Sequence, residues 1–204
     1  MNEKELNIIK AASEVFMRLG IKSVNMDDIA RSLGISKRTL YQYVKDKNDL
    51  VRKCIFGMCE AEDVAVGAIC EKGLNAIDEL FEISHFITDL LSKMHPSIHF
   101  DLEKYHPEIL KDMMDNRESA VFTCIHSNLE KGVNEGLYRA DLNTVVISKI
   151  YMAKMDIVFN AEIFPPNEVS FSDVYLEYLR YHVRGLASEK GIEYLVEKVK
   201  GKKN

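Results

Sequence analysis

The amino-acid sequence predicts an all-α fold, and three observations carry that expectation. Apolar residues recur at helical spacing in every long segment. Strict apolar–polar alternation over four or more residues, bounded by hairpin turn signals, is absent. Gly20, Gly34, Pro96, Pro107 and Pro165 fall where the periodic segments begin or end.

The elements follow in order. Leu6, Ile9, Ala12, Val15, Phe16 and Leu19 form one apolar stripe that stops at Gly20. After a turn-rich zone, Asn25 caps a helix over 26–33, with Asp28 at the third helical position completing a capping box. Ile29, Ala30 and Leu33 form its buried side, and Gly34 ends it. Ser36 caps a second short helix over 37–44, with Leu40 and Val44 facing inward. Asn48 then caps an amphipathic helix over about 49–71. Further helices are expected at 74–94, 97–106, 107–131, 143–164 (stopped by Pro165-Pro166) and 172–187.

Composition narrows the function classes. Of 204 residues, 47% are apolar and 29% charged, ordinary for a globular chain. The longest apolar run is the seven residues 64–70, far short of the ~18 a membrane span needs. The charged N-terminus does not resemble a secretory signal, so a cytoplasmic protein without membrane contact is expected. Cys54, Cys59, Cys70 and Cys124 lack C-x-x-C spacing and read as reduced thiols used as small apolar side chains. A net charge of −5 argues against a nucleic-acid partner until it is partitioned. Residues 1–55 hold 11 Lys/Arg and 7 Asp/Glu, net +4, and residues 56–204 hold 16 and 25, net −9.

The basic first quarter contains the sharpest motif. Two helices of about eight residues joined by a glycine turn have the form of a helix-turn-helix. On the second, Lys37, Arg38, Thr39, Tyr41, Gln42 and Tyr43 are left outward. Lysine and arginine suit guanine edges, glutamine suits adenine, and tyrosine hydroxyls suit phosphate oxygens. Lys37–Lys53 carries six basic residues against two acids, Asp46 and Asp49. The alternative is a surface helix pair with a solvated charge run, or a docking surface for a protein.

The run I-A-R-S-L-G-I-S-K-R-T-L-Y-Q-Y-V-K-D-K-N-D-L (29–50) resembles the DNA-binding segment of the tetracycline-repressor (TetR) family, through Ile29-Ala30, Gly34, Ser36, Thr39-Leu40-Tyr41, Lys47 and Leu50. E-G-L-Y-R at 135–139 and Arg184-Gly185 are similar to turns in the regulatory half of some members. The resemblance implies a homodimeric transcriptional regulator, usually a repressor, released from double-stranded DNA by a small molecule; an activator of the same fold is the variant reading. It implies a DNA-binding domain over 1–50 and a ligand-binding and dimerisation domain over 51–204. Carried over by position, Lys37, Arg38, Thr39 and Gln42 read bases, and Asn25, Ser36, Tyr41, Tyr43 and Lys47 hold phosphates. Two positions depart from the pattern. Asp27 stands where some members carry a basic residue, and Val44 where many carry Phe.

A dimer surface is expected on helices apolar on more than one face. In 145–164, 14 of 20 residues are apolar or aromatic, and 172–187 is rich in tyrosine. Val146, Ile150, Ile157, Tyr175, Tyr178, Leu179 and His182 are the expected contacts, in a four-helix isologous interface. Expected pocket residues are Phe81, His85, Met94, Phe100, Met113, Phe122, His126, Met152 and Met155, since methionine adapts to irregular cavities. The group His95, His99, Asp101, Glu103 and His106 invites a metal, but Pro96 breaks the helix between His95 and His99. No metal or cofactor is expected, and motifs for phosphate cradling, zinc hydrolysis or a nucleophile elbow are absent, so an enzyme is not expected.

Overall fold

The computed structural model describes residues 3–160, 162–165 and 167–201. Ten helices form among them: α1 (Glu3–Leu19), α2 (Met26–Ser32), α3 (Lys37–Leu40), α4 (Lys47–Cys70), α5 (Ala76–Lys93), α6 (Ile98–Tyr105), α7 (Pro107–Asn134), α8 (Thr144–Val158), α9 (Phe171–Leu186) and α10 (Glu189–Gly201). Among the described residues no strand forms, and one antiparallel bridge joins Tyr138 to Ala187. The all-α expectation holds.

The sequence expectation did not include α10 (Glu189–Gly201), and several element boundaries differ from it. α3 is regular only to Leu40; the backbone continues to Val44 through the tighter bonds Gln42 N–H to Thr39 O and Tyr43 N–H to Leu40 O. α4 begins at Lys47, because the Asp46 carboxylate accepts the Asp49 N–H at 2.8 Å, so Asn48 lies in the first turn rather than at the cap. α8 ends at Val158, six residues early, because Asn160 Oδ1 accepts the N–H groups of Glu162 and Ile163 and starts a separate turn. Pro166, one of the two prolines expected to stop that helix, lies outside the described residues.

The chain packs as two compact units, 1–65 with 93–117 and 66–92 with 118–204. The expected functional division at residue 50 therefore falls inside the first unit, whose packing takes in α6 and the start of α7.

The first unit centres on Ile8, Ile9, Ala12 and Phe16 of α1. These meet Ile29, Ala30, Leu40, Val44, Leu50 and Val51, together with Ile98, Leu102 and Ile109. A buried carboxylate closes one side. Asp101, 3% exposed, accepts the N–H groups of Ile21 (3.0 Å) and Lys22 (2.9 Å) and the Ser97 hydroxyl (3.1 Å). His95 donates its N–H to Met17 O at 2.8 Å, and its ring meets Ser97 Oγ. Gly20 sits at φ 80, and a Cβ there would lie 2.6 Å from Ser97 Oγ. This approach explains a glycine after α1 and shows that Asp101 is engaged by backbone amides. Asp101→Ala leaves the buried Ile21 N–H and the part-buried Lys22 N–H without their acceptor. It is expected to lower stability by about 3 kcal/mol, read as a fall in the urea midpoint at unchanged m-value.

The second unit packs Ile77 and Leu80 of α5 against Ile125 and Leu129 of α7, with Leu137, Tyr138, Tyr151, Leu179, Val183 and Leu186. A polar network threads it. Asn128 Nδ2 donates to Glu79 Oε1 and Ala76 O, Lys131 donates to Glu79 Oε2 at 2.7 Å, and the Tyr138 hydroxyl donates to Asn128 Oδ1 at 3.1 Å. His182 is 9% exposed, its ring 5.1 Å from that of Tyr151. Burial, with the Lys154 charge nearby, pulls its pKa down to about 4. The unfolded chain binds this proton near 6.5. Stability from the neutral buried ring is therefore full above about pH 6.5 and is lost as pH falls towards 4, amounting to about 3 kcal/mol. Urea midpoints measured from about pH 7 to 4.5 are expected to fall less steeply in His182→Phe than in the unaltered protein.

Candidate nucleic-acid interface

The helix-turn-helix is held by local caps. Asn25 Oδ1 accepts the N–H groups of Asp27 and Asp28, while Asp28 Oδ2 accepts the Asn25 N–H at 3.0 Å: the expected capping box. Gly34, at φ 64, supplies the left-handed turn. Ser36 Oγ accepts the Thr39 N–H at 3.0 Å and meets Thr39 Oγ1 at 2.8 Å. Leu40 is fully buried and Val44 nearly so, fixing the roll of the segment. Lys37, Arg38, Tyr41, Gln42 and Lys45 are thereby exposed, and Thr39, Tyr43 and Lys47 half-buried. Asn25 and Ser36, expected at phosphates, are exposed but already use their side-chain oxygens as caps.

The surrounding charges define how this face is supported. Lys53 donates to the Tyr43 carbonyl at 2.8 Å and to Glu5 at 3.0 Å, anchoring the end of the 37–44 segment to α1 and α4. Burial lowers the Lys47 pKa below the ordinary lysine range, partly offset by the Asp101 and Asp28 carboxylates. His106 Nδ1 lies 2.6 Å from Asn48 Oδ1 and, because an amide oxygen only accepts, donates to it; burial and then the Lys47 charge hold this imidazole below its usual range. Arg52 pairs with Asp112 at 2.5 Å. Lys37 Nζ is 2.8 Å from Asp27 Oδ2. Sequence reasoning marked Asp27 as unusual but found none of these partners; His106 and Asp112 lie 58 and 60 residues from theirs, and no periodicity reports such a pairing.

The other expected sites are redistributed. Tyr175, Leu179 and His182 are buried inside the second unit and so cannot form the bulk of an interface. Tyr178 is half-buried, and its hydroxyl meets no hydrogen-bond partner among the described residues. The exposed apolar residues of α8 are Val145, Val146, Ile150 and Ile157, and Tyr181 of α9 is 69% exposed. Of the expected α9 contacts, Tyr175, Leu179 and His182 lie on the stripe that faces their own chain, because an amphipathic helix shows which residues share a stripe, not which stripe meets its own chain.

The nine expected pocket residues divide between the two units, Met94, Phe100 and Met113 in the first and the other six in the second. Met94 and Met113 pack on the first unit's core, and Phe81 and Met155 on the second's; His85 and Phe100 are exposed. Met152 is half-buried. Phe122 stacks on His126 at 5.6 Å, and His126 Nε2 meets Thr144 Oγ1 at 3.2 Å. A cavity of about 230 Å³ in the first unit is lined by Phe56, Cys59 and Arg117, with Glu60, Asp63 and Asn116; of the nine it includes Met113 alone. Arg117 pairs with Glu62 there, and its Nε is buried with no partner among the described residues.

Known proteins share this arrangement. The family model described as "Bacterial regulatory proteins, tetR family" matches residues 8–54. The uncharacterised HTH-type transcriptional regulator YhgD of Bacillus subtilis (strain 168) is 24% identical over 157 residues, covering 72% of this chain and 79% of that protein. A transcriptional regulator from Cytophaga hutchinsonii ATCC 33406 superposes with a TM-score of 0.74 at 16% identity, over 92% of this chain and 100% of that one. The Bacillus subtilis regulator FadR, solved in complex with stearoyl-CoA, gives 0.66 at 17% identity, over 89% and 98%. With α1 to α4 folded as a capped helix-turn-helix, residues 29–50 lie inside the segment, 8–54, that matches the tetR family model, and it is this N-terminal part of the chain that is similar to the DNA-binding segment of that family.

Proposed function

We propose that the protein is a ligand-responsive homodimeric repressor that binds a palindromic operator in the cytoplasm and leaves it when a small molecule binds the helical part of the chain. Residues 1–50 serve as the DNA-binding domain and 51–204 as the ligand-binding and dimerisation domain. The carrying observation is the exposed row Lys37, Arg38 and Gln42 on a segment whose opposite side, Leu40 and Val44, is buried. Those side chains enter the major groove and read bases with Thr39. Tyr41, Tyr43 and Lys47 hold phosphates, with the exposed Asn25 and Ser36 alongside.

One such reader covers too little sequence alone, and a second copy joined through α8 and α9 supplies the other half-site. The exposed Val146, Ile150 and Ile157 are the residues that favour α8 for this role. An effector carrying a long acyl chain is favoured by the stearoyl-CoA complex of one structural relative. To turn mostly bound into mostly free, the effector must prefer the released state by roughly 5 kcal/mol.

The test is selection of duplexes from a randomised pool by the full chain, followed by footprinting. The expected result is an inverted repeat with half-sites roughly 34–36 Å apart. Affinity should fall on the order of a thousandfold between about 50 and 200 mM salt. If no duplex is enriched over the pool, the DNA-reading role is wrong, and a protein-docking surface at 37–53 takes its place.

A further inference from the structure

Asp27 is an acid beside the face proposed to approach DNA; the helix dipole favours a carboxylate in the first turn of α2, but Asp28 supplies one there as well, so the dipole alone does not require an acid at 27. It lies in the first turn of α2, its backbone N–H held by Asn25 Oδ1 at 2.9 Å. Lys37 opens α3 directly after the Ser36 cap. Both backbones are thus fixed, and the side chains converge, Nζ to Oδ2 at 2.8 Å, with 50% and 57% of their surface exposed. Ion pairs this open add little stability. The neighbouring acid is otherwise engaged, because the Asp28 carboxylate accepts the Asn25 N–H and faces Arg31. A carboxylate beside phosphates weakens binding to every sequence, unless it has a donor on the DNA to accept from.

The major-groove edge of a G·C pair offers such a donor. Guanine presents the acceptors N7 and O6, and cytosine presents the N4 amine, which sits beside O6 in the same pair. An ammonium and a carboxylate in direct contact present the complementary order. An A·T pair instead places the thymine O4 acceptor and methyl group where the carboxylate would fall. We propose that Asp27 and Lys37 act as one specificity-determining pair that reads a G·C base pair in each half-site, with Lys37 on the guanine and Asp27 accepting from the cytosine amine. This rests on the assignment of 37–44 as the DNA-facing segment. The carboxylate also raises the Lys37 pKa above the ordinary lysine range, through the hydrogen bond and the opposite charge.

Selection from a randomised duplex pool by full-length protein, Asp27→Ala, Asp27→Asn and Lys37→Ala tests the pair, followed by affinities for single-base-pair variants of the selected site. In the unaltered protein one G·C position per half-site is expected to cost about tenfold or more when replaced. Asp27→Ala should reduce that penalty to about threefold or less while the other positions keep theirs. It should also tighten binding to non-operator DNA, with a log–log salt slope steeper by about 0.9 for each freed lysine. Asp27→Asn should move the preference at that position towards A·T, because an amide pairs with adenine N6 and N7.

An unchanged G·C preference in Asp27→Ala overturns the pair, and so does a uniform loss at all positions. If Asp27→Ala fails to fold, Asp27→Asn keeps the side-chain shape and decides the question alone. If the unaltered protein selects no sequence, the DNA-reading role has failed, a result distinct from selection that ignores Asp27.

Discussion

Protein carrying Lys37→Ala, Arg38→Ala and Gln42→Ala together is expected to bind operator and scrambled DNA with equal, weak affinity, while melting as the unaltered chain does. The three side chains are exposed, and the residues that set the roll of α3, Leu40 and Val44, remain in place. Each well-placed base contact discriminates by about 1–3 kcal/mol, and the dimer makes every contact twice. The triple change therefore removes at least a thousandfold of preference, the lower end of what separates specific from non-specific binding. Arg38 should account for the largest single share, because a guanidinium can grip guanine O6 and N7 in two bonds, and Arg38→Lys should not restore it. Competition gel shifts against scrambled duplex at fixed salt measure this. Preference undiminished in the triple variant would mean that an element other than the 37–44 segment reads the bases.

The second large effect is a reversal of sign. Glycine within a helix ordinarily costs up to about 1 kcal/mol relative to alanine, so Gly→Ala should stabilise. Gly67→Ala in α4 is expected to do so by a few tenths to about 1 kcal/mol, since nothing lies within 4 Å of the added Cβ. Gly191→Ala in α10 is expected to destabilise by about 3 kcal/mol or more, because its Cβ would lie 2.1 Å from the Leu137 carbonyl oxygen, a backbone atom. That backbone cannot retreat, because Leu137 O accepts the Ser188 N–H at 3.0 Å and Arg139 N–H donates to Leu186 O at 2.9 Å. Gly132→Ala should do comparable harm. Its Cβ would lie 2.0 Å from the ring of Tyr138, which is 1% exposed and bonded through its hydroxyl to Asn128. Chemical unfolding of the three variants side by side checks the signs. A stabilising Gly191→Ala would show that α10 does not press on this turn.

These glycines illustrate how far the sequence could be read. E-G-L-Y-R at 135–139 was legible as a turn, because Gly136 ends α7 with a positive φ of 70. That Gly191 admits the Leu137 carbonyl was not legible, because the contact joins segments far apart in sequence; Gly132 meets Tyr138 only six residues on, through a fold-back after α7 that no helical spacing reports. The reading segment shows the same division. Asn25, Ser36 and Gly34 marked the two short helices correctly, since each cap acts on an amide two or three residues away. The regular part of α3 still ended four residues early, at a tightening that no residue type announced.

Sequence alone determined the helical class, the capped helix-turn-helix, the outward row Lys37, Arg38 and Gln42, and the basic first quarter that net charge concealed. All of these depend on neighbours within about one helical turn, where spacing and side-chain type settle the outcome. Tertiary structure decided that Asp101 caps the turn after α1, that Lys37 meets Asp27, and that Tyr175, Leu179 and His182 are buried within their own chain. It also decided that the expected pocket residues divide between two units. Burial and pairing between helices follow from which stripes meet in space, and an amphipathic pattern carries the stripe but not its partner.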